Sequence, residues 1–374
     1  NSRLNNGHPF LDSRFVGPLL DNFGNGSELL CVHHTTSDPS GFLILRPPRH
    51  GIWSTFSPAQ MPIAPLLLED GRLIETLIAA LPGTAWTLEL YGIDLHFFPD
   101  FSMWAWCSIA TPKAQTISVE MGSRSDQFDR YWMNRPKKLQ ANISRYLRRA
   151  SGHVLRLAKH TDKADVRAAV SRYGNLESAG WKGEAGTALG DNNPQGVFYS
   201  ETLERFAMAK QAAVYELYVD DRLAASRLII NGDHMVILLK TTYAESMASL
   251  APGRLLLYLF LREQLTLDGG KPIHFYTNAT RDQKEWSTTQ SQILDMQIFK
   301  TPLYAGAFSA ARAFRRKLHI TRGDRRPPQI ESRTPNVTEC NGVDTLSPSQ
   351  YDLRDFVGRD CMESSVDWFR LLQR

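Results

Sequence analysis

Residues 234 to 279 read HMVILLKTTYAESMASLAPGRLLLYLFLREQLTLDGGKPIHFYTNA. HMVILLKTTY is rich in β-branched and aliphatic residues and predicts a strand. AESMASLAPG consists mostly of small residues and ends in Pro-Gly, the composition of a loop. RLLLYLFLREQL is too long and too continuous for one strand and stops at Asp-Gly-Gly, which predicts a helix. PIHFYTNA returns to strand content. Strand, loop, helix and strand in that order form a βαβ-like unit. The runs just upstream, AAVYELYV and RLAASRLIIN, are joined to each other and to this unit by the short polar turns Asp220-Asp221 and Asn231-Gly232-Asp233. Such turns between β-rich runs predict an antiparallel meander of two hairpins. The fold class expected is α/β (α+β), with a mixed, mainly antiparallel sheet flanked by helices.

Further upstream lie three helical stretches. KKLQANISRYLRRA places Leu139, Ile143 and Leu147 at i, i+4 and i+8, one helix face. ADVRAAVSRYGNLESAG reads as a helix running into a glycine-rich stretch, and SETLERFAMAKQ as another, with Ser200 and Glu204 near a capping arrangement. From Arg130 to Lys159 nine basic residues occur with no acidic residue between those ends, and Tyr131, Trp132 and Tyr146 lie among them. The first hundred or so residues repeat the mixed character. FLDSRFVGPLLDNFG and GRLIETLIAALPG read as helices. ELLCVHHT, GFLILRPP, WTLELYGID, SMWAWCSIA and TISVEM read as strands, and WSTFSPAQMPIAPLLLEDG as a proline-containing loop.

Composition narrows the class. Of the 374 residues 42% are hydrophobic and 22% charged, enough apolar material for two cores. The net charge of +4 is too small to imply a nucleic-acid binder by itself. Cys31, Cys107, Cys340 and Cys361 form no CxxC pair, so a zinc or redox motif is not indicated, and a reducing cytoplasm fits best. His33, His34 and His50 have no third ligand at metal spacing, so no metal is expected. The apolar run Leu255 to Leu261 is about a third of the ~20 residues a membrane span needs. The polar start NSRLNNGHPF is not a signal peptide, and a chain beginning with Asn is expected to be a processed or trimmed product. After His319 the composition turns to Pro, Arg, Thr and Asn, like a linker, and SVDWFRLLQR at the end predicts an amphipathic helix.

The order meander, strand, Pro-Gly loop, helix, strand resembles the core of the GNAT acyltransferase fold. ESAGWKGEAGTAL (177–189), KTTYAES (240–246), APGRLL (251–256) and the K-x-W of Lys284 and Trp286 together resemble the CelD-like branch, associated with bacterial cellulose and exopolysaccharide synthesis. FLDSRFVGPLL and WSTFSPAQMPIAPLL are similar to the first half of that branch, so the resemblance covers roughly Phe10 to Leu318. It extends distantly to the Fem aminoacyltransferases, which pair two GNAT-like domains. The resemblance therefore implies tandem GNAT-like domains: residues 1–125 a degenerate one, 126–318 the acyltransferase domain, and 319–374 a linker and helical tail.

Under that resemblance acyl-CoA is the co-substrate. Leu239, Lys240, Ala251, Pro252, Gly253, Arg254 and Leu255 form its site, the CoA pyrophosphate lying at the helix mouth. The first N–H groups of a helix lack internal partners, and its dipole favours anions there. Only Gly253 stands where GNAT proteins usually carry a richer glycine loop. The four glycines of ESAGWKGEAGTALG let that stretch approach a ligand closely. Trp181 and Gly183 would then touch the substrate, and Lys182 would polarise the thioester carbonyl. Glu177 and Glu245 are candidate bases or acceptor contacts, and Tyr243 the acid for the leaving thiolate. Lys284, oriented by Asp282, is a second lysine near the donor carbonyl, and Trp286 lines the substrate side. Each residue also has a structural reading: Trp181 as core, Glu177 as a helix-end charge, Tyr243 as a strand-edge aromatic, TRDQKEW as a solvated loop. No Ser or Cys sits in a nucleophile motif, so transfer is expected to be direct.

Three functions stay open. One is a cytoplasmic N-acyltransferase acting on a small-molecule or glycan amine, such as one on a sugar or polysaccharide precursor. The second keeps the fold and takes an aminoacyl-tRNA donor, with the basic run Arg130 to Lys159 as landing site. The third is a non-catalytic GNAT-like protein that binds a glycan or partner.

Overall fold

A computed structural model of the chain describes residues 7–35, 38–83, 85–98, 107–120, 127–180, 183, 186, 188–190, 192–266, 270–310 and 312, with the backbone of 364–370. The meander and βαβ unit predicted from residues 212–279 are present. Strands β7 (Leu155–His160), β8 (Ala212–Val219), β9 (Arg222–Asn231) and β10 (Val236–Tyr243) pair antiparallel in sequence order. Helix α7 (Pro252–Thr266) then carries the chain to β11 (Ile273–Phe275), which pairs parallel to β10.

The N-terminal half repeats this plan. Strands β1 (Leu29–Thr35), β2 (Asp38–Arg49) and β3 (Ile52–Thr55) form an antiparallel meander. The short β4 (Leu66–Leu68) pairs with β2, and α2 (Leu73–Ala80) leads to β5 (Thr87–Asp94), parallel to β3. The following strand of each half then crosses to the other half. β6 (Ser108–Val119) pairs with β11, β12 (Thr289–Phe299) pairs with β5, and β6 and β12 pair antiparallel with each other. One thirteen-stranded sheet results, in which β5, β12, β6 and β11 stand side by side. A cut at 125/126 therefore separates β6 from both strands it pairs with.

Helices cover the sheet because strand residues alternate faces. Ala212 and Val214 face one cluster, with α1 (Ser13–Phe23), α5 (Lys163–Ser178) and α6 (Pro194–Ala207). Ala213, Tyr215 and Leu217 face another, with α3 (Gln127–Met133), α4 (Lys137–Ala150) and α7. The continuous apolar run of α7 has a simple use: Leu255, Leu256, Phe260, Leu261 and Leu265 are all buried against the sheet or α4. Each such burial stabilises by about 1.5–3 kcal/mol, more than helix propensity could supply. Helix α6 begins where it does because Pro194 cannot donate at N1 and the Asn193 side chain accepts from the Gly196 N–H at 2.8 Å.

Three segments differ from expectation, and a fourth, TQSQILDMQIF, carries none. WST, read as loop, lies in β3, with Trp53 and Thr55 buried in alternation. SIA and TISV belong to the single strand β6, while 102–106 lie outside the described residues. TQSQILDMQIF, polar in composition, is β12, bonded on both sides. Ser364–Arg370, expected as an amphipathic helix, is strand β13, antiparallel to β1. Val, Trp and Phe favour β structure, and β1 has an edge to complete.

Candidate functional site

β10 and β11 pair over only three residues, Val236–Leu238 with Ile273–Phe275. Past Leu238 the register of β10 shifts at a bulge before Lys240, and β10 continues to Tyr243 paired to β9 alone. Where the two strands part, a cavity of about 820 Å³ opens, in the range of small-molecule sites. Its walls are Leu239, Lys240, Thr241 and Tyr243 of β10, Arg227 of β9, Tyr146 of α4, the mouth of α7 from Ala251 to Arg254, and Tyr276, Thr277, Asp282, Gln283 and Trp286 beyond β11.

The α7 mouth is shaped by one strained residue. A 3₁₀ turn, Glu245–Leu250, runs into Ala251, which adopts left-handed φ 51° and lets Pro252 start a new helix in a new direction. The Ala251 carbonyl accepts from the Arg254 and Leu255 N–H groups at 3.0 and 3.1 Å. A Cβ on Gly253 would meet Tyr243 at 3.5 Å, ordinary contact, so the glycine keeps the mouth open rather than avoiding a clash. Arg254 pairs with Asp282 at 2.5 Å on the rim.

Among the described residues three cations line the cavity. Besides Arg254, Lys240 reaches Glu177 at 3.8 Å and lies 5.3 Å from the Tyr199 ring centroid. Arg227 is 5% exposed, and its Nε donates to Thr241 Oγ1 at 3.0 Å. Burial lowers the Arg227 pKa to about 10, still charged at neutral pH. Glu177 is buried at the end of α5, where its carboxylate accepts from the Leu189 N–H at 2.9 Å and the Tyr173 hydroxyl at 3.2 Å. A smaller space of about 60 Å³ adjoins, sharing Thr241 and Tyr243 with the main cavity and bounded by Glu177, Gly180 and Glu245. Gly180 permits this approach, since a Cβ there would lie 2.7 Å from Glu245 Oε1.

The cavity floor is tied to the N-terminal half by a directed hydrogen-bond chain. The Phe10 N–H donates to His8 Nδ1 at 3.2 Å, which leaves the His8 proton on Nε2. His8 Nε2 then donates to the Tyr276 hydroxyl at 2.8 Å, and that hydroxyl donates to Asp94 Oδ2 at 2.9 Å. Burial, then the nearby His274 and His96, lower the His8 pKa to about 3, so the ring is neutral. Burial raises the Asp94 pKa and holds Tyr276 protonated.

Most residues expected at the donor site gather here. Leu239, Lys240, Ala251, Pro252, Gly253, Arg254, Tyr243 and Trp286 line the main cavity, and Glu177 and Glu245 the smaller one. Leu255 does not: it is wholly buried, because the helix turns it toward the sheet. Lys284, the last residue of α8 (Arg281–Lys284), hydrogen-bonds Gln115 of β6 and lines neither space. Asp282 engages Arg254 rather than orienting Lys284. Gly183 lies against the Ser178 carbonyl, while Trp181 and Lys182 lie outside the described residues. Arg227 and Tyr276 belong to no motif. The signal for Arg227 is a lone cation inside the apolar run of RLAASRLIIN. Among the described residues no group of three or more His, Cys, Asp or Glu side chains could hold a metal, and no helix is long and apolar enough to cross a membrane.

No curated protein matches the chain in sequence. Among solved structures it is similar to a conserved Bacteroides thetaiotaomicron protein of unknown function, at 10% identity over 78% of this chain and 92% of that one, TM-score 0.50. FemX gives 9% identity over 77% and 92%, also TM-score 0.50. L-PGS from Bacillus licheniformis gives 12% over 84% and 94%, TM-score 0.46. At such identities the likeness to the first two concerns the fold alone. Residues 137–283, from α4 through β11 into α8, match the family model described as acetyltransferase (GNAT) domain, and this segment, which holds the cavity between β10 and β11, is a GNAT-type acetyltransferase domain.

Proposed function

We propose that the chain is an N-acyltransferase that moves an acyl group from acyl-CoA to an amine. The observation that carries this reading is the cavity of about 820 Å³ at the parting of β10 and β11, with the α7 N-terminus in its wall. The residues fit such a donor. The N–H groups of the helix mouth and Arg254 suit phosphate, and Tyr243, Leu257 and Trp286 supply apolar wall for a flexible arm. The donor brings an activated thioester carbonyl.

The chain's residues divide the remaining work. Glu245 is exposed beside Gly180 and takes the proton the amine nitrogen loses as the C–N bond forms. Tyr243, shared by the two spaces, gives its hydroxyl proton to the sulfur as the C–S bond breaks. Glu177, already held by a backbone N–H and Tyr173, positions Lys240 rather than serving as base. By the same resemblance, Lys182 polarises the thioester carbonyl and Trp181 touches the substrate. By resemblance to CelD-like proteins, the acceptor is an amine of a sugar or exopolysaccharide precursor.

Isothermal titration with acetyl-CoA and a long-chain acyl-CoA tests the donor. Saturable binding is expected, weakened at least about tenfold (about 1.4 kcal/mol) by Gly253→Trp. Gly253→Ala should bind normally, because its Cβ meets Tyr243 at ordinary contact distance. If neither thioester binds, the reading is wrong.

One observation favours a second donor. Helix α4 contributes Tyr146 to the cavity and carries Arg145, Arg148 and Arg149 on the same turns, with Arg149 bonded to the Ser249 carbonyl at 3.1 Å. An aminoacyl-tRNA could lie on that basic face with its aminoacyl end in the cavity.

A further inference from the structure

The cavity's cations are not equally matched. Lys240 has Glu177 at 3.8 Å, and Arg254 has Asp282 at 2.5 Å. Arg227 has no carboxylate partner among the described residues. Its Nε is taken by Thr241, while its Nη1 is sealed from solvent and makes no hydrogen bond. A buried guanidinium without a counter-charge is costly, and proteins seldom keep one unless something supplies the missing charge. A guanidinium suits a carboxylate, which supplies the missing counter-charge and accepts from its N–H groups. Its place also separates it from the phosphate end. The α7 mouth and Arg254 form one wall, whereas Arg227 lies on β9, opposite Thr241 and beside the β10 bulge.

We propose that Arg227 receives a carboxylate carried by the substrate, so that this site selects a ligand with a free carboxylate at its inner end. The shared chemistry has two sources: an acyl thioester with a terminal carboxylate, or an amine acceptor that is itself a carboxylic acid. This inference rests on the donor reading for its reaction but not for its anion site.

Three pairs of probes separate the cases, each measured on wild type, Arg227→Met and Arg227→Lys. Glutarate against glutaramide reads the anion site alone. Succinyl-CoA against acetyl-CoA reads the donor. β-Alanine against β-alaninamide, with acetyl-CoA present and thiol release followed, reads the acceptor. The expected result is a preference of at least about tenfold for the carboxylate member in the glutarate pair and in one of the other two. Arg227→Met should abolish it and Arg227→Lys restore it in part. A purely structural arginine would lower stability in Arg227→Met without changing carboxylate-over-amide selectivity. Should the methionine variant not fold, the lysine variant decides, since it keeps the charge and loses the fork. Wild type showing no preference in any pair, or a preference unchanged in both variants, overturns the proposal. Glutarate binding through Arg227 with no binding of either thioester would keep the anion site and discard the CoA donor.

Discussion

Replacing Tyr276 by Phe keeps the ring in the cavity wall and removes one hydroxyl from a buried chain. That hydroxyl accepts from His8 Nε2 at 2.8 Å and donates to Asp94 Oδ2 at 2.9 Å. The substitution takes the acceptor from a histidine with no exposed surface and one donor from a carboxylate 3% exposed. Asp94 keeps the His96 N–H at 2.9 Å and the Ser291 hydroxyl at 3.4 Å, so its loss is partial. Each buried group deprived of its partner costs about 1–3 kcal/mol, and the two together about 2–4 kcal/mol of a total stability of roughly 5–15. Equilibrium urea unfolding at neutral pH measures it: the midpoint should fall with the slope unchanged. The loss should shrink in acid. Burial raises the Asp94 pKa and the Tyr276 hydrogen bond opposes that rise, so the bond favours the ionised carboxylate and matters less once Asp94 is protonated. Donor binding should change less than about threefold, since the ring still lines the cavity. A loss under about 0.5 kcal/mol would show that the chain does not join the two halves as argued. Unchanged stability with lost donor binding would place the hydroxyl on the ligand instead.

Glu216 has no exposed side-chain surface and accepts from Arg172 at 2.8 and 2.9 Å, from Tyr218 at 2.9 Å and from His160 at 2.8 Å. Burial pushes its pKa up, but these bonds and charges outweigh burial and hold it below 4.5. A depressed carboxylate pKa stabilises above the unfolded value and is lost as pH falls through the folded one, so wild type should lose stability below about pH 4.5 more steeply than Glu216→Gln, read from urea midpoints across pH. At neutral pH the same variant should lose about 1–3 kcal/mol. Converting Arg145, Arg148 and Arg149 to Gln should leave acyl-CoA binding within about threefold by titration, exposed charges being screened; an abolished activity with intact acyl-CoA binding would favour the tRNA donor. Ala251→Gly should raise stability or leave it unchanged, because glycine meets φ 51° without the roughly 1 kcal/mol of left-handed strain; a clear fall in melting temperature would contradict that.

Legibility followed the range of the interactions. The meander, the βαβ unit and the α7 mouth were readable because their signals are local: polar turns between apolar strands, and Pro-Gly before a long apolar run. β7 was hidden because Arg156 and Lys159 give it the look of a charged helix face, although Leu155 and Leu157 pack on the core. β12 was hidden for another reason. Its Gln, Ser and Asp residues carry little strand propensity, and its pairing with β5 and β6 is set by residues far away in sequence. The K-x-W motif divided in the same way: Trp286 reached the cavity wall, whereas Lys284 found Gln115, a partner no local pattern announces. Arg227 was visible as an oddity in its strand, but only the packed sheet shows that no carboxylate among the described residues answers it.

The crossing of β6 and β12 bears on how the protein is made. Asp94 of β5 pairs with Ile293 of β12, so the edge of β5 emerges from the ribosome about 200 residues before its partner. At roughly 5–20 residues per second, that edge waits on the order of 10–40 seconds with its backbone donors and acceptors open. β6 waits likewise for β11. The sheet cannot close during synthesis of the first half, and an expression fragment ending near residue 125 would keep that nascent, unclosed edge permanently and be prone to aggregate.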